Sequence, residues 1–283
     1  MRRIREPLSS TEWSTPVGVR TTILLLSICA VACSTSSSGR PPHPPAADLV
    51  VATYNVNFGM AGDGPTIQAI RATGADVVLL QETTPEWEAA LRRALGRRYP
   101  HMLFRHSDWP AGGMAFLSRH PLSDLKSSPS VLGYFPAWRV VVHCPAGPVR
   151  LVNLHLKPAV SDSGSYVSGY FTTPPQRKAE MTAHLHLVRA EGPPTIVMGD
   201  FNEQRGGGLS VLEHQRFEPA ITSQGAAPTW RWKVGPFTLR QQLDHILYDP
   251  ARLRCVDARI LDRGRSDHLP VVAQFQLVRT REG

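Results

Sequence analysis

TIVMGDFNE, residues 195–203, is an apolar run that ends in Gly199 and then presents a carboxylate and an amide, Asp200 and Asn202. Such a run predicts a buried strand with polar chemistry delivered at its end. Residues two apart along a strand point the same way, so Asp200 and Asn202 can address one site while Phe201 turns away to pack. The same residues also read as a strand entering a turn, with Asp and Asn satisfying local backbone groups. The neighbouring stretches decide between the two.

Upstream, residues 49–56, LVVATYNV, predict the first core strand, ending at Asn55 in the phrase YNVN. Residues 63–73 follow with a Gly-Pro start and helical spacing, and a second strand, 75–80, runs directly into Gln81 and Glu82. Glu82 therefore repeats the opening design, a carboxylate at the end of an apolar strand. Thr84 and Pro85 begin a helix marked by Trp87, Leu91 and Leu95. From Met102 the pattern becomes strands, at 102–104, 113–118, 137–143 and 149–156, with glycine and proline punctuation suited to antiparallel pairing. The last of these carries Asn153 and His155 on one face, although a strand histidine is often structural.

Downstream, residues 161–175 predict a long polar and aromatic loop with Tyr166, Tyr170 and Phe171, followed by a helix over 176–189. Gly206–Gly208 reads as a hinge or turn without the preceding strand that a phosphate-cradling loop needs. Residues 240–248, RQQLDHILY, predict a strand containing Asp244 next to His245, and Ser266-Asp267-His268 precede the strand LPVVAQFQL. A carboxylate in mid-strand is costly unless paired, so Asp244 is expected to have a buried or site-facing partner.

The N-terminus is of another kind. Arg2, Arg3, Arg5 and Arg20 precede a short apolar run, residues 23–32, too short to span a bilayer and suited to a signal peptide. AVAC, ending at Cys33, resembles the lipobox of bacterial lipoproteins, with Ala30 where leucine is usual. The expected organisation is a signal peptide over 1–33 with lipidation at Cys33, a Ser/Pro-rich tether over 34–47, and one domain over 48–283. That organisation predicts a monomer held to the cell-envelope membrane by its lipid, or otherwise secreted.

The chain has 31 basic and 23 acidic residues; four Arg and two Glu lie in the signal segment, leaving a net charge of about +6. This suits an anionic partner such as nucleic acid or a phosphorylated headgroup, and equally a soluble domain. Cys144 and Cys255 remain in the domain, either bridged or as two thiols, and no CxxC spacing suggests zinc.

Collected in order, the polar residues at apolar strand ends are Asn55, Glu82, Asn153, His155, Asp200, Asn202, Asp244, Asp267 and His268. Carboxylate and amide oxygens without cysteine suit Mg²⁺ or Mn²⁺. The phrases YNVN, QE, NLH, GDFN, LDHI and SDHLPV, in that order, resemble the endonuclease/exonuclease/phosphatase superfamily over residues 49–278. The resemblance implies an α/β fold of the DNase I-like kind, a four-layer α-β-β-α sandwich of two mixed sheets. It implies a divalent-metal-dependent phosphodiesterase with Glu82 as principal metal ligand, helped by Asn55 and Asp267. Asp200 would orient or deprotonate water, Asn202 hold the nucleophile or phosphate, and His155 and His268 contact phosphoryl oxygens. Asp244 would fix His268, and the base is Asp200 or His268.

The fold does not name the substrate. Arg139, Arg263 and Arg265, near the site, and the basic domain favour a nuclease-like enzyme, the preferred branch; Asn153, Arg139, Arg265 and Tyr170 are the expected substrate contacts. The membrane tether and the aromatic loop favour a phospholipase or another lipid-headgroup hydrolase. A non-catalytic binding lipoprotein is the reading of another class, disfavoured because binding alone does not need all these groups together.

Overall fold

In the computed structural model, which describes residues 46–188, 191–222 and 228–278, the apolar runs fold as strands and the amphipathic runs as helices. The order begins β1 (Leu49–Asn55), α1 (Gly64–Ala72), β2 (Val77–Gln81) and α2 (Pro85–Leu95). Strands β3 (His101–Arg105), β4 (Met114–Ser118), β5 (Leu122–Ser128), β6 (Ala137–Cys144) and β7 (Gly147–His155) follow. Next come α3 (Tyr166–Thr172), α4 (Pro174–Val188), β8 (Thr195–Asp200), α5 (Gly207–His214) and the short β9 (Glu218–Pro219). The chain closes with β10 (Trp230–Val234), β11 (Phe237–Gln241), β12 (Asp244–Tyr248), β13 (Leu253–Ile260) and β14 (Val271–Leu277).

Two six-stranded sheets result, ordered β13-β14-β1-β2-β4-β3 and β5-β6-β7-β8-β12-β9, with β10 and β11 as a separate hairpin. Each sheet is mixed, with one parallel pair, β1–β2 or β7–β8, among antiparallel neighbours. Alternate residues face opposite ways, and both faces are covered, which is why these strands read as continuous apolar runs. Val51, Leu79 and Phe116 meet Val140, Leu151 and Met198 between the sheets. The intervening residues Ala52, Val78 and Leu80 pack under Ile70, Trp87 and Leu91 of α1 and α2. On the far side, Val152, Leu154 and Val197 pack under Met181, Leu185 and Leu212 of α4 and α5. This is the expected four-layer α/β sandwich.

Four local expectations are corrected. The stretch 161–175 is not one loop: Ser165 accepts a hydrogen bond from the Ser168 N–H and starts α3. Gly206 caps α5 with positive φ, so the glycine triplet is a helix start and not a hinge. The strand expected over 240–248 is broken at 242–243, its first part pairing with β10 and its second with β8. Strands β5 and β13 lie where no strand was expected. Cys144 and Cys255 are both free thiols. Among the described residues no helix is long and apolar enough to cross a membrane. The signal segment, Cys33 and all but the end of the tether lie outside the described residues.

Candidate active site

The inner face of each sheet carries its alternation out to one rim, where apolar residues give way to polar ones. Along β1 the inner residues are Val51, Thr53 and Asn55; along β7, Leu151, Asn153 and His155; along β8, Ile196, Met198 and Asp200. Register aligns Asn55 with Gln81, His155 with Asp200, and Asp200 with Asp244. Opposed residues of paired strands point the same way, so two carboxylates lie side by side at this rim.

His268 stands between them. Its Nδ1 lies 2.8 Å from Asp244 Oδ2, and its Nε2 lies 3.6 Å from Asp200 Oδ2. Thr229 Oγ accepts hydrogen bonds from the Leu243 and Asp244 N–H groups, and Ser266 Oγ accepts one from the His268 N–H, which fixes both backbones. Burial opposes a charge on His268, but Asp244, Asp200 and Asp267 outweigh it and push its pKa up to about 10. Burial also raises Asp200, against the pull of His268. The proton of this group therefore rests on the imidazole. His155 is its opposite: burial lowers it to about 4, so the ring is neutral at pH 7. It is stacked on Phe135 with centroids 3.7 Å apart, and its Nε2 is 3.6 Å from Asp200 Oδ2.

A second group of oxygens adjoins the first. Asn55 Nδ2 donates to Glu82 Oε1 at 2.9 Å and to Asp200 Oδ2 at 3.1 Å, bridging the two carboxylates. Asp267 accepts from Asn57 Nδ2 at 2.9 Å and from Trp230 Nε1 at 3.0 Å. Burial raises the pKa of Glu82, and repulsion from Asp267 adds to the rise. Two carboxylates close enough to repel, with an amide beside them and no sulfur, fit a hard divalent cation. Asp200, Asp244 and His268 also offer ligand-type atoms within 4.8 Å of one another. Their hydrogen bonding argues against a metal there, because an imidazolium has no lone pair to give.

Backbone strain concentrates here. Asn57, Glu82 and Asn202 hold φ of 62°, 60° and 53°, a region that costs non-glycine residues about 1–3 kcal/mol. Asn202 leaves the strand direction, its N–H donating to Asp200 Oδ1 at 2.9 Å and its Nδ2 to the Leu156 carbonyl at 2.9 Å. The turn reading and the site reading of GDFN thus hold together: the local hydrogen bond is what aims Asp200.

All of this opens into a cleft of about 720 Å³, lined by Glu82, His155, Asp200, Asn202, Asp267 and His268. Four expected substrate contacts lie elsewhere. Asn153 is fully buried, joining the sheets through Gln81 Nε2 (2.7 Å) and the Leu80 and Ala115 carbonyls. Arg139 is buried against Asp124 Oδ2 at 2.5 Å, and Arg265 pairs with Asp63 at 3.5 Å. Tyr170 sits on α3 outside the lining, which takes Tyr166 instead. Sequence reasoning passed over Asn57, although YNVN contains it, because only the first amide ends an apolar run. It also passed over Trp230, whose bond to Asp267 crosses 37 residues and leaves no local signal.

A family model described as the endonuclease/exonuclease/phosphatase family matches residues 52–268. The fold is similar to that of an endonuclease/exonuclease/phosphatase from Beutenbergia cavernae DSM 12333, at 24% identity and a TM-score of 0.63, covering 81% of this chain and 71% of that one. It is also similar to the human Nocturnin catalytic domain, at 17% identity and a TM-score of 0.61, over 81% and 94% of the two chains. An AP endonuclease from Archaeoglobus fulgidus matches at 17% identity and a TM-score of 0.60, over 80% and 99%. No curated protein matches by sequence. With the motif residues gathered at one rim and the family model spanning most of the domain, the chain belongs to the endonuclease/exonuclease/phosphatase family.

Proposed function

We propose that this protein is a divalent-metal-dependent phosphodiesterase whose general base is Asp200. The observation that carries the reading is the group Asp244–His268–Asp200, in which one imidazole is held between two buried carboxylates whose charge favours its protonated form. An imidazolium cannot accept a proton, which leaves Asp200 to take one from the attacking water. Burial raises the basicity of Asp200, in the direction a base requires. His268 then donates from Nε2 to a phosphoryl oxygen, while Asp244 holds Nδ1 and the ring's orientation. His155 supplies a neutral hydrogen-bond donor, and Asn202 fixes the carboxylate through its backbone N–H.

Glu82 and Asp267, with Asn55, would hold the cation, and Mg²⁺ or Mn²⁺ fits this oxygen set. Once bound, such an ion supplies positive charge to the phosphoryl oxygens as negative charge develops on them. Relatives in the family support the phosphodiester class: one similar structure is described as TDP2 from D. rerio complexed with a single-stranded DNA product. For the nuclease-like branch, Arg139 is committed to Asp124, while Arg263 and Arg265 are exposed, the latter meeting Asp63 at 3.5 Å. We place the activity in the cell envelope on the strength of the N-terminal sequence.

The test is turnover of bis-p-nitrophenyl phosphate with Mg²⁺. Asp200→Asn and His268→Ala are each expected to lower kcat by about 10³-fold or more with circular dichroism unchanged. Retained turnover by His268→Ala would remove the assignment.

A further inference from the structure

We propose that the rim of the cleft docks on an anionic lipid bilayer and that the phosphoester hydrolysed is presented from that surface. The proposal rests on the phosphodiesterase reading for its substrate but not for its docking.

Most of the exposed large hydrophobic side chains among the described residues belong to segments at or beside the cleft. Those other than Leu125 and Val278 lie on segments that line the cleft or, for Phe237 and Leu239, on the strand paired with one. Phe58, Trp109 and Trp232 belong to the lining itself, and Trp109 is 60% exposed. Beyond them, Val131 and Leu132 lead into the lining residues Tyr134 and Phe135, and Val167 and Phe171 follow Tyr166 on α3. Phe237 and Leu239 stand on β11, beside the lining residues of β10. Phe171 and Phe237 are 74% and 72% exposed. Scattered surface hydrophobics need no explanation, whereas a rim of them around one opening marks an interaction surface.

The chemistry of the occupant follows from charge. No Lys or Arg is among the described residues lining the cleft, so a polyanionic strand laid through it would meet countercharge only at the catalytic centre itself and none along its length. The positive charge lies on the hairpin instead. Pairing of Trp232 with Leu239 puts these apolar residues on one face, while Lys233 and Arg240 stand on the other, together with Arg231, which is ion-paired with Asp262 at 3.1 Å. A hairpin with an apolar face and a cationic face, projecting beside an open cleft, fits an interface where acyl chains and anionic headgroups lie next to each other. A folded protein seated on the same rim would stopper the cleft. A bilayer would feed it.

The experiment uses the full chain with vesicles of phosphatidylcholine, with and without phosphatidylglycerol, carrying brominated acyl chains. Tryptophan quenching, measured in a Trp13→Phe background so that the N-terminal segment does not contribute, reads insertion of the rim, because a tether alone does not bring Trp109 and Trp232 to the acyl layer. Quenching is expected in the wild type. It is expected to be lost in Phe237→Ser/Leu239→Ser, and the preference for phosphatidylglycerol lost in Lys233→Glu/Arg240→Glu. Turnover of soluble bis-p-nitrophenyl phosphate should be unchanged in both variants, which also shows them folded. Wild-type quenching that survives in the serine variant overturns the proposal, as does cleavage of plasmid DNA in preference to vesicle lipid. Absence of all phosphodiester turnover, with quenching behaving as expected, refutes the catalytic reading and leaves the docking intact.

Discussion

Glu82 concentrates the costs of this site in one residue. It combines a left-handed backbone, a half-buried carboxylate and repulsion from Asp267. Groups arranged against stability in this way persist where the arrangement has a use. Glu82→Gln removes the charge and keeps the shape, so the variant is expected to lose activity while gaining up to about 1 kcal/mol of stability. Thermal unfolding of the two proteins without added metal checks this, and a lower Tm in the variant would contradict it. The site residues were legible for a related reason. Asn153 and His155, or Asp200 with Met198 before it, are spaced by the period of a strand, and that period carries the inner face outward to the rim. It could not say where the face stops being core, which is why Asn153 reads like a site residue and is a buried strut.

At the scale of the element, α4 shows what a helix covering a sheet imposes on its polar residues. His184 is buried with Nδ1 2.9 Å from Ser128 Oγ, and burial lowers its pKa to about 4. A folded pKa below the unfolded value of 6.5 contributes stability above pH 6.5, lost as pH falls through about 4. His184→Gln retains a polar partner for Ser128 without the titration. Its stability is expected to fall less steeply than the wild type's between pH 6.5 and 4, by an amount on the order of 2–3 kcal/mol. Urea titrations at a series of pH values measure the two slopes, and equal slopes would contradict the account. Elements with a strong period were legible from sequence, among them α2 with its Thr84 cap and β8 with its apolar run. The exposed β5 and β13 and the hairpin were not, because their residues alternate weakly and their pairing is set by distant strands.

At the largest scale, the described domain holds two sheets that meet through apolar residues and are joined at one end by hydrogen bonds. Asn153 receives the Gln81 amide and donates to Leu80 and Ala115 across the gap between sheets. Asn153→Leu strands those buried partners and is expected to cost about 2–4 kcal/mol, read as a shift in the denaturation midpoint. A smaller loss than about 1 kcal/mol would mean that the junction does not depend on this bond. The same end of the sandwich brings Asp200 of one sheet within reach of Asn55 and Glu82 of the other, so activity requires both halves in register. That assembly was readable through the resemblance of the ordered phrases, from YNVN to SDHLPV, to a known family, since strand and helix patterns alone do not bring the two halves together; the aromatic rim was not, because it is built by segments far apart in sequence. The most direct measurement is phosphodiester turnover before and after removal of divalent cations by a chelator. The account predicts that turnover disappears with the metal, returns with Mg²⁺, and is absent from Asp200→Asn under both conditions. Full turnover in chelator, or an active Asp200→Asn, would contradict it.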